Sequence, residues 1–162
     1  MADLAELEAR LRALEGIEAI KRLKYRYLRC LDTKQWDEMA ETFTDDATTE
    51  YSDGEYRFEG KAAIMEFLKG TPLAREGEYI GVHHCQQPEI ELTSDTTAKG
   101  VWALYNYLIH KQDQTGLRLC SFYHDEYVKQ DGEWKIRHTG YRRVFEETWD
   151  RRDTPSLKLV AG

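Results

Sequence analysis

Leu117-Arg118-Leu119-Cys120-Ser121-Phe122-Tyr123-His124-Asp125-Glu126-Tyr127-Val128-Lys129-Gln130-Asp131-Gly132-Glu133-Trp134 reads as a long strand, a tight turn and the start of a second strand. Runs rich in aromatic and β-branched residues suit a pleated sheet, and Asp-Gly between two such runs is a strong hairpin signal. The reading extends in both directions. Thr97–Lys111 and His83–Leu92 precede this hairpin with the same character, and Glu133–Phe145 completes it. Four long strands in succession predict an antiparallel meander.

The first half of the chain has a different period. Leu4, Leu7, Leu11, Leu14, Ile17, Ile20, Leu23, Tyr27 and Leu31 recur every three or four residues, which predicts one long amphipathic helix. The early leucines approach heptad spacing and suit contact with a neighbouring subunit. Asp32-Thr33-Lys34-Gln35 has the form of a capping box opening a second helix from Trp36 to about Phe43. A third short helix is expected over Lys61–Lys69. Thr48–Ser52 and Glu55–Phe58 flank Asp53-Gly54, a further hairpin signal. Helices followed by a meander predict an α+β domain in which a curved sheet wraps around the helices. We expect one domain over residues 1–162, with 1–15 a helical N-terminal extension and 150–162 a C-terminal arm.

Composition narrows the function. The formal net charge of −7 argues against nucleic acid as a partner, because phosphate binding needs concentrated cationic surface. Lys21, Arg22, Lys24, Arg26 and Arg29 read as a solvated helix face. No apolar run is long enough to span a bilayer, and the acidic, helical start is unlike a secretory signal. The expectation is therefore a cytoplasmic protein with no membrane partner. Cys30, Cys85 and Cys120 form no Cys-x-x-Cys pair and read as small buried hydrophobes. Phosphate-loop and nucleophile-elbow motifs are absent, and the histidines lack metal-ligand spacing, so neither cofactor nor metal is expected.

Acid–base chemistry remains. His83 and His84 open a strand, and imidazole exchanges protons near neutral pH. Alternation sends the two to opposite faces. Ile90 and Leu92 share a face with His84, so either His84 points inward or Gln86-Gln87-Pro88 carries a bulge that brings His83 in. Asp32 is the candidate partner, a carboxylate able to fix the imidazole tautomer, although helix capping would explain it equally well. Asn106 shares strand parity with Trp102, Leu104 and Leu108, a polar amide on an apolar face. Arg143 suits an anionic substrate group or a neighbouring glutamate. Tyr27 suits core packing, or donation to a carbonyl that becomes an enolate.

Tyr27-Leu28-Arg29-Cys30-Leu31-Asp32-Thr33-Lys34-Gln35-Trp36, with Pro88-Glu89-Ile90 and Thr139-Gly140-Tyr141 downstream, resembles the SnoaL-like group of the NTF2-like superfamily. That superfamily includes scytalone dehydratase and ketosteroid isomerase, and the chain resembles its bile acid 7α-dehydratase branch. The resemblance implies a cone of curved sheet with a hydrophobic ligand in its open end. It also implies catalytic roles for Tyr27, Asp32 and His83, with Tyr51, Asn106 and Arg143 contacting substrate. Asn106 departs from the pattern, which has an aspartate there. The implied reaction is loss of water from a 7α-hydroxy-3-oxo-4-ene steroid or bile acid, free or as a coenzyme A ester, by a homotrimer. An isomerase, a polyketide cyclase and a non-catalytic binding domain are the alternatives on the same cone.

Overall fold

A computed structural model describes residues 3–161; the first two residues of the expected N-terminal extension and the last of the arm lie outside it. α1 spans Leu4–Asp32 and α2 Trp36–Ala40. β1 (Phe43–Tyr51) and β2 (Tyr56–Glu59) precede α3 (Lys61–Gly70). β3 (Tyr79–Leu92), β4 (Thr97–His110), β5 (Thr115–Gln130) and β6 (Glu133–Asp150) complete the chain, followed by a 3₁₀ turn at Arg151–Asp153. The fold is α+β, a six-stranded sheet in the order β2-β1-β6-β5-β4-β3 with α1 and α3 on its inner face. Every neighbouring pair is antiparallel except β1 and β6. That pair closes tightly at Gly140, where a Cβ would stand 2.6 Å from the Glu50 carbonyl oxygen.

α1 ends differently from the capping expectation. Lys34 takes φ 58°, its N–H bonds the Leu31 carbonyl, and the Gln35 N–H reaches back to Cys30. This is a Schellman closure with lysine in the left-handed position that glycine usually fills. No side chain caps α2, so Asp32 is not its N-cap. α2 also stops at Ala40, and β1 takes up Phe43, whose ring packs edge-on against Tyr27. Burial of that ring outweighs one more helical turn.

Two strands also run further than the sequence suggests. β3 starts four residues before His83, and β6 continues past Phe145 to Asp150. β3 carries the bulge that decides which histidine faces inward. Gln86 pairs with Ala103 and Glu89 with Val101, so Gln87 and Pro88 together oppose Trp102. Gln87 takes φ 51° to accommodate the extra residue. His83 thereby joins Ile90 and Leu92 on the inner face, while His84 is exposed on the outer one. One inserted residue reverses parity, as the period of two requires.

The basic stretch on α1 is not one solvated face. Lys24 has no exposure and makes a 2.8 Å ion pair with the equally buried Asp125. Asp125 also accepts hydrogen bonds from Tyr127 and Thr139, and the Lys24 ammonium lies 3.5 Å from the Tyr123 ring centroid. Lys24 is four residues from Ile20 and three from Tyr27, so it sits on the apolar stripe of α1. Cys30 is buried as expected, but Cys85 and Cys120 are only partly so. Among the described residues, no helix is long and apolar enough to cross a membrane.

Candidate active site

α1 delivers Asp32 from its last residue, and β3 delivers His83 across from it. One Asp32 carboxylate oxygen lies 2.5 Å from His83 Nδ1, and the other accepts the His83 backbone N–H at 3.0 Å. A carboxylate only accepts, so Nδ1 carries the proton and Nε2 presents a lone pair. Asn106, paired with His83 across β3 and β4, donates its amide N–H to Nε2 at 3.0 Å. The imidazole is thus held at three points: Asp32 on Nδ1, Asp32 again on its backbone, and Asn106 on Nε2. Asp32 occupies the C-terminal end of α1, where the helix dipole disfavours a carboxylate, so the two bonds to His83 have to offset that cost.

A second pair lies on the inner surface. The Tyr27 and Tyr51 hydroxyls are 3.0 Å apart, and both side chains are buried. Burial, followed by the neighbouring Tyr123, holds the Tyr27 phenol well above its ordinary pKa. Burial and then Tyr27 do the same to Tyr51. Both phenols therefore stay protonated at neutral pH and act as hydrogen-bond donors. In a two-hydroxyl chain one proton is used internally, and the other is free for an acceptor such as a carbonyl oxygen. Tyr141 flanks this pair, tilted 34° against Tyr51, with its hydroxyl 2.8 Å from Ser52 Oγ.

Arg143 lies on the same inner face and is strongly paired. Its Nε bonds Asp53 at 2.6 Å, its backbone N–H bonds the same carboxylate at 2.7 Å, and Glu146 lies 3.3 Å from another guanidinium nitrogen. The Arg143 backbone N–H, then its side chain, holds the Asp53 carboxyl below its usual range. The clamp steadies a turn in which Ser52, Asp53 and Gly54 all have positive φ. An anionic ligand group would compete with these carboxylates for Arg143.

The six candidates therefore fall into three groups: Asp32–His83–Asn106, Tyr27–Tyr51, and Arg143 with its acidic partners. A cleft of about 380 Å³ runs beside the first, lined by Tyr25, Leu28, Arg29, Asp32, His83 and Cys85 among others. Ligand clefts typically enclose about 300–1,000 Å³, so this one lies at the small end of that range. A larger groove of about 940 Å³ lies between α1 and the β3–β4 and β5–β6 turns, and it contains none of the six. Proximity to the imidazole, not size, makes the smaller cleft the relevant one. Among the described residues no cluster of His, Cys, Asp or Glu has metal-ligand geometry.

Two buried polar residues escape a motif-based reading. Ser121 is buried on the inner face of β5, and its Oγ has no hydrogen-bond partner among the described residues. Asp125 is buried two positions further along that face. Each shares strand parity with Leu119 and Tyr123, the same polar-on-apolar signal that singles out Asn106.

The fold recurs in solved structures of known proteins. A scytalone dehydratase candidate from Novosphingobium aromaticivorans DSM 12444 superposes with TM-score 0.76 at 24% identity, covering 86% of this chain and 89% of its own. The hexachlorocyclohexane dehydrochlorinase LinA-type3 from Novosphingobium barchaimii LL02 gives 0.78 at 19% identity, covering 94% and 99%. ActVI-ORFA from Streptomyces coelicolor gives 0.67 at 16%, covering 80% and 98%. At these identities the likeness establishes the cone and not the chemistry. The family assignment rests on sequence, because the profile of the SnoaL-like domain matches residues 12–140. By that match, over most of its length, this chain belongs to the SnoaL-like domain family.

Proposed function

We propose that the protein is a cofactor-independent hydro-lyase that eliminates water from a 7α-hydroxy-3-oxo-4-ene steroid or bile acid. The observation that carries this reading is the Asp32–His83 contact, with the tautomer that leaves Nε2 as the base. In the reaction the substrate displaces the Asn106 N–H from Nε2, Nε2 removes a proton from C6, acidified through the conjugated enone, and Tyr27 donates to the oxygen of the resulting dienolate. The electron pair then forms the C6–C7 double bond as the 7-hydroxyl departs. The imidazolium formed in the first step returns its proton to the departing oxygen, so water leaves and His83 is regenerated. Protonated phenols suit the dienolate role because they donate without having to ionise first.

The names of the neighbours add limited support, a scytalone dehydratase candidate and a dehydrochlorinase, both names of elimination chemistry. Asn106 favours a second reading. An amide on Nε2 cannot supply an acid proton, so an isomerase or cyclase that moves a proton without losing a hydroxyl uses the same groups. One assay separates the two. Incubation with 7α-hydroxy-3-oxo-4-ene steroid in deuterium oxide is expected to give the red-shifted absorbance of a 4,6-diene. Solvent deuterium entering the steroid without diene formation contradicts the dehydratase and supports the isomerase.

The proposal extends to assembly as a homotrimer. Supporting it, the outer face of the sheet exposes Val82, Tyr105, Phe122 and Phe145, apolar side chains that a subunit contact would cover.

A further inference from the structure

Two buried polar atoms on the inner face of β4 and β5 have no partner among the described residues: Asn106 Oδ1 and Ser121 Oγ. The two residues are 5% and 2% exposed. Buried polar groups are almost always hydrogen-bonded, and an unsatisfied one calls for an explanation. Thr44 and Thr49 on β1 also carry unpartnered hydroxyls, but of these four residues only Asn106 bonds the imidazole.

The sheet places Asn106 and Ser121 side by side. Asn106 pairs with Leu119 and Leu104 with Ser121, so the two polar residues are diagonal neighbours on the inner face of β4 and β5. Diagonal neighbours stand about 7–8 Å apart between backbones, too far for two short side chains to bond each other but a gap that a single oxygen lodged between the amide and the hydroxyl can bridge. A β-bulge lies beside Ser121: Cys120 pairs with Phe145 but Ser121 with Arg143, leaving Val144 as the extra residue. Bulges next to active sites commonly re-aim a side chain.

The chemical capacities of the pair are complementary. In the ligand-free protein the Asn106 N–H bonds Nε2, which orients the amide and leaves Oδ1 as an acceptor. The Ser121 hydroxyl both donates and accepts. We infer that Asn106 Oδ1 and Ser121 Oγ form the subsite for the substrate's leaving hydroxyl, with Ser121 its specificity-determining donor. The substrate O–H donates to Asn106 Oδ1, and its oxygen accepts the Ser121 O–H. As the C7–O bond breaks, that oxygen takes the bond's electron pair and then the proton that Nε2 removed from C6, leaving as water. Ser121 supports the growing negative charge without losing its own proton. The inference rests on the dehydratase reading above and names the residues that read the hydroxyl.

The test uses two saturated steroids that lack the 3-ketone, one with and one without a 7α-hydroxyl. Neither can turn over, because C6 is not acidified. The wild-type protein is expected to bind the hydroxylated steroid about ten-fold more tightly or better. Ser121→Ala is expected to cut that preference by about three-fold or more while leaving affinity for the deoxy steroid unchanged. In the ligand-free protein, Ser121→Ala should melt at the wild-type temperature or above it, since it removes an unsatisfied hydroxyl. A fall in melting temperature means that the hydroxyl is bonded within the protein and overturns the inference. So does an unchanged preference for the hydroxylated steroid. A wild type that binds neither steroid, with Ser121→Ala still melting higher, overturns the steroid substrate while supporting the unsatisfied subsite.

Discussion

Asp32 commits both carboxylate oxygens to His83, one to the ring and one to the backbone. Replacing it with asparagine removes the acceptor that holds the proton on Nδ1 and lets the imidazole adopt the other tautomer. Asp32→Asn should therefore lower turnover by about a hundred-fold or more, with little loss of stability, since a carboxylate at a helix C-terminus is unfavourable there. Steady-state kinetics and a thermal melt on the same sample check both halves, and wild-type turnover would contradict the assignment. Lys24 makes the opposite case, a charge whose role is structural. Removing it leaves Asp125 buried and uncompensated, so Lys24→Met should destabilise the fold by about 3–5 kcal/mol, read from urea unfolding. At this scale the sequence was partly legible. Tyr27, Asp32 and His83 stand out by residue type and by resemblance, whereas Lys24 sits among other basic residues and Ser121 belongs to no motif. Their significance depends on contacts made across the sheet, which no local pattern encodes.

At the scale of the element, two short irregularities decide the site. The bulge at Gln87-Pro88 turns His83 inward, and the Schellman turn at Lys34 frees Asp32 from capping. Proline in a strand signals the first, because it cannot join the hydrogen-bond ladder. The second is obscured because lysine, not glycine, occupies the left-handed position. Lys34→Gly should relieve that conformation and stabilise the protein by about 1 kcal/mol, measurable as a higher urea midpoint. An unchanged or lower midpoint would mean that the lysine side chain compensates for the strain. The long helix, the meander and both Asp-Gly turns could be read directly, since each rests on a periodic pattern or a turn residue. Element ends were less accessible. α2 stops early and β1 begins early because Phe43 packs against Tyr27, a contact from a distant turn of the chain.

For the molecule as a whole, the buried tyrosines link stability to pH. Tyr27, Tyr51, Tyr123 and Tyr127 are all held well above the ordinary phenol value of 10.0, in each case chiefly by burial. Above about pH 10 the unfolded chain loses these protons while the folded protein keeps them, so unfolding becomes more favourable as pH rises. Stability is fully present below pH 10 and should fall above it by up to about 1.4 kcal/mol per pH unit for each tyrosine. Urea melts between pH 8 and pH 11 measure the slope, and Tyr123→Phe should flatten it. Assembly is tested at the same scale: Phe122→Glu places charge in the exposed apolar face and should convert the proposed trimer to smaller species in sedimentation, whereas an unchanged sedimentation profile would contradict that interface. The cone and the family were legible from the order of elements and the segments of resemblance. The substrate is the part that sequence leaves open, because relatives on one cone carry unrelated chemistries. The most direct test is the rate of 4,6-diene formation from 7α-hydroxy-3-oxo-4-ene steroid by the wild type, His83→Ala and Tyr27→Phe. The base and dienolate roles require turnover by the wild type and a loss of at least about a hundred-fold in each variant, with the fold intact. Near-wild-type turnover in either variant contradicts the mechanism.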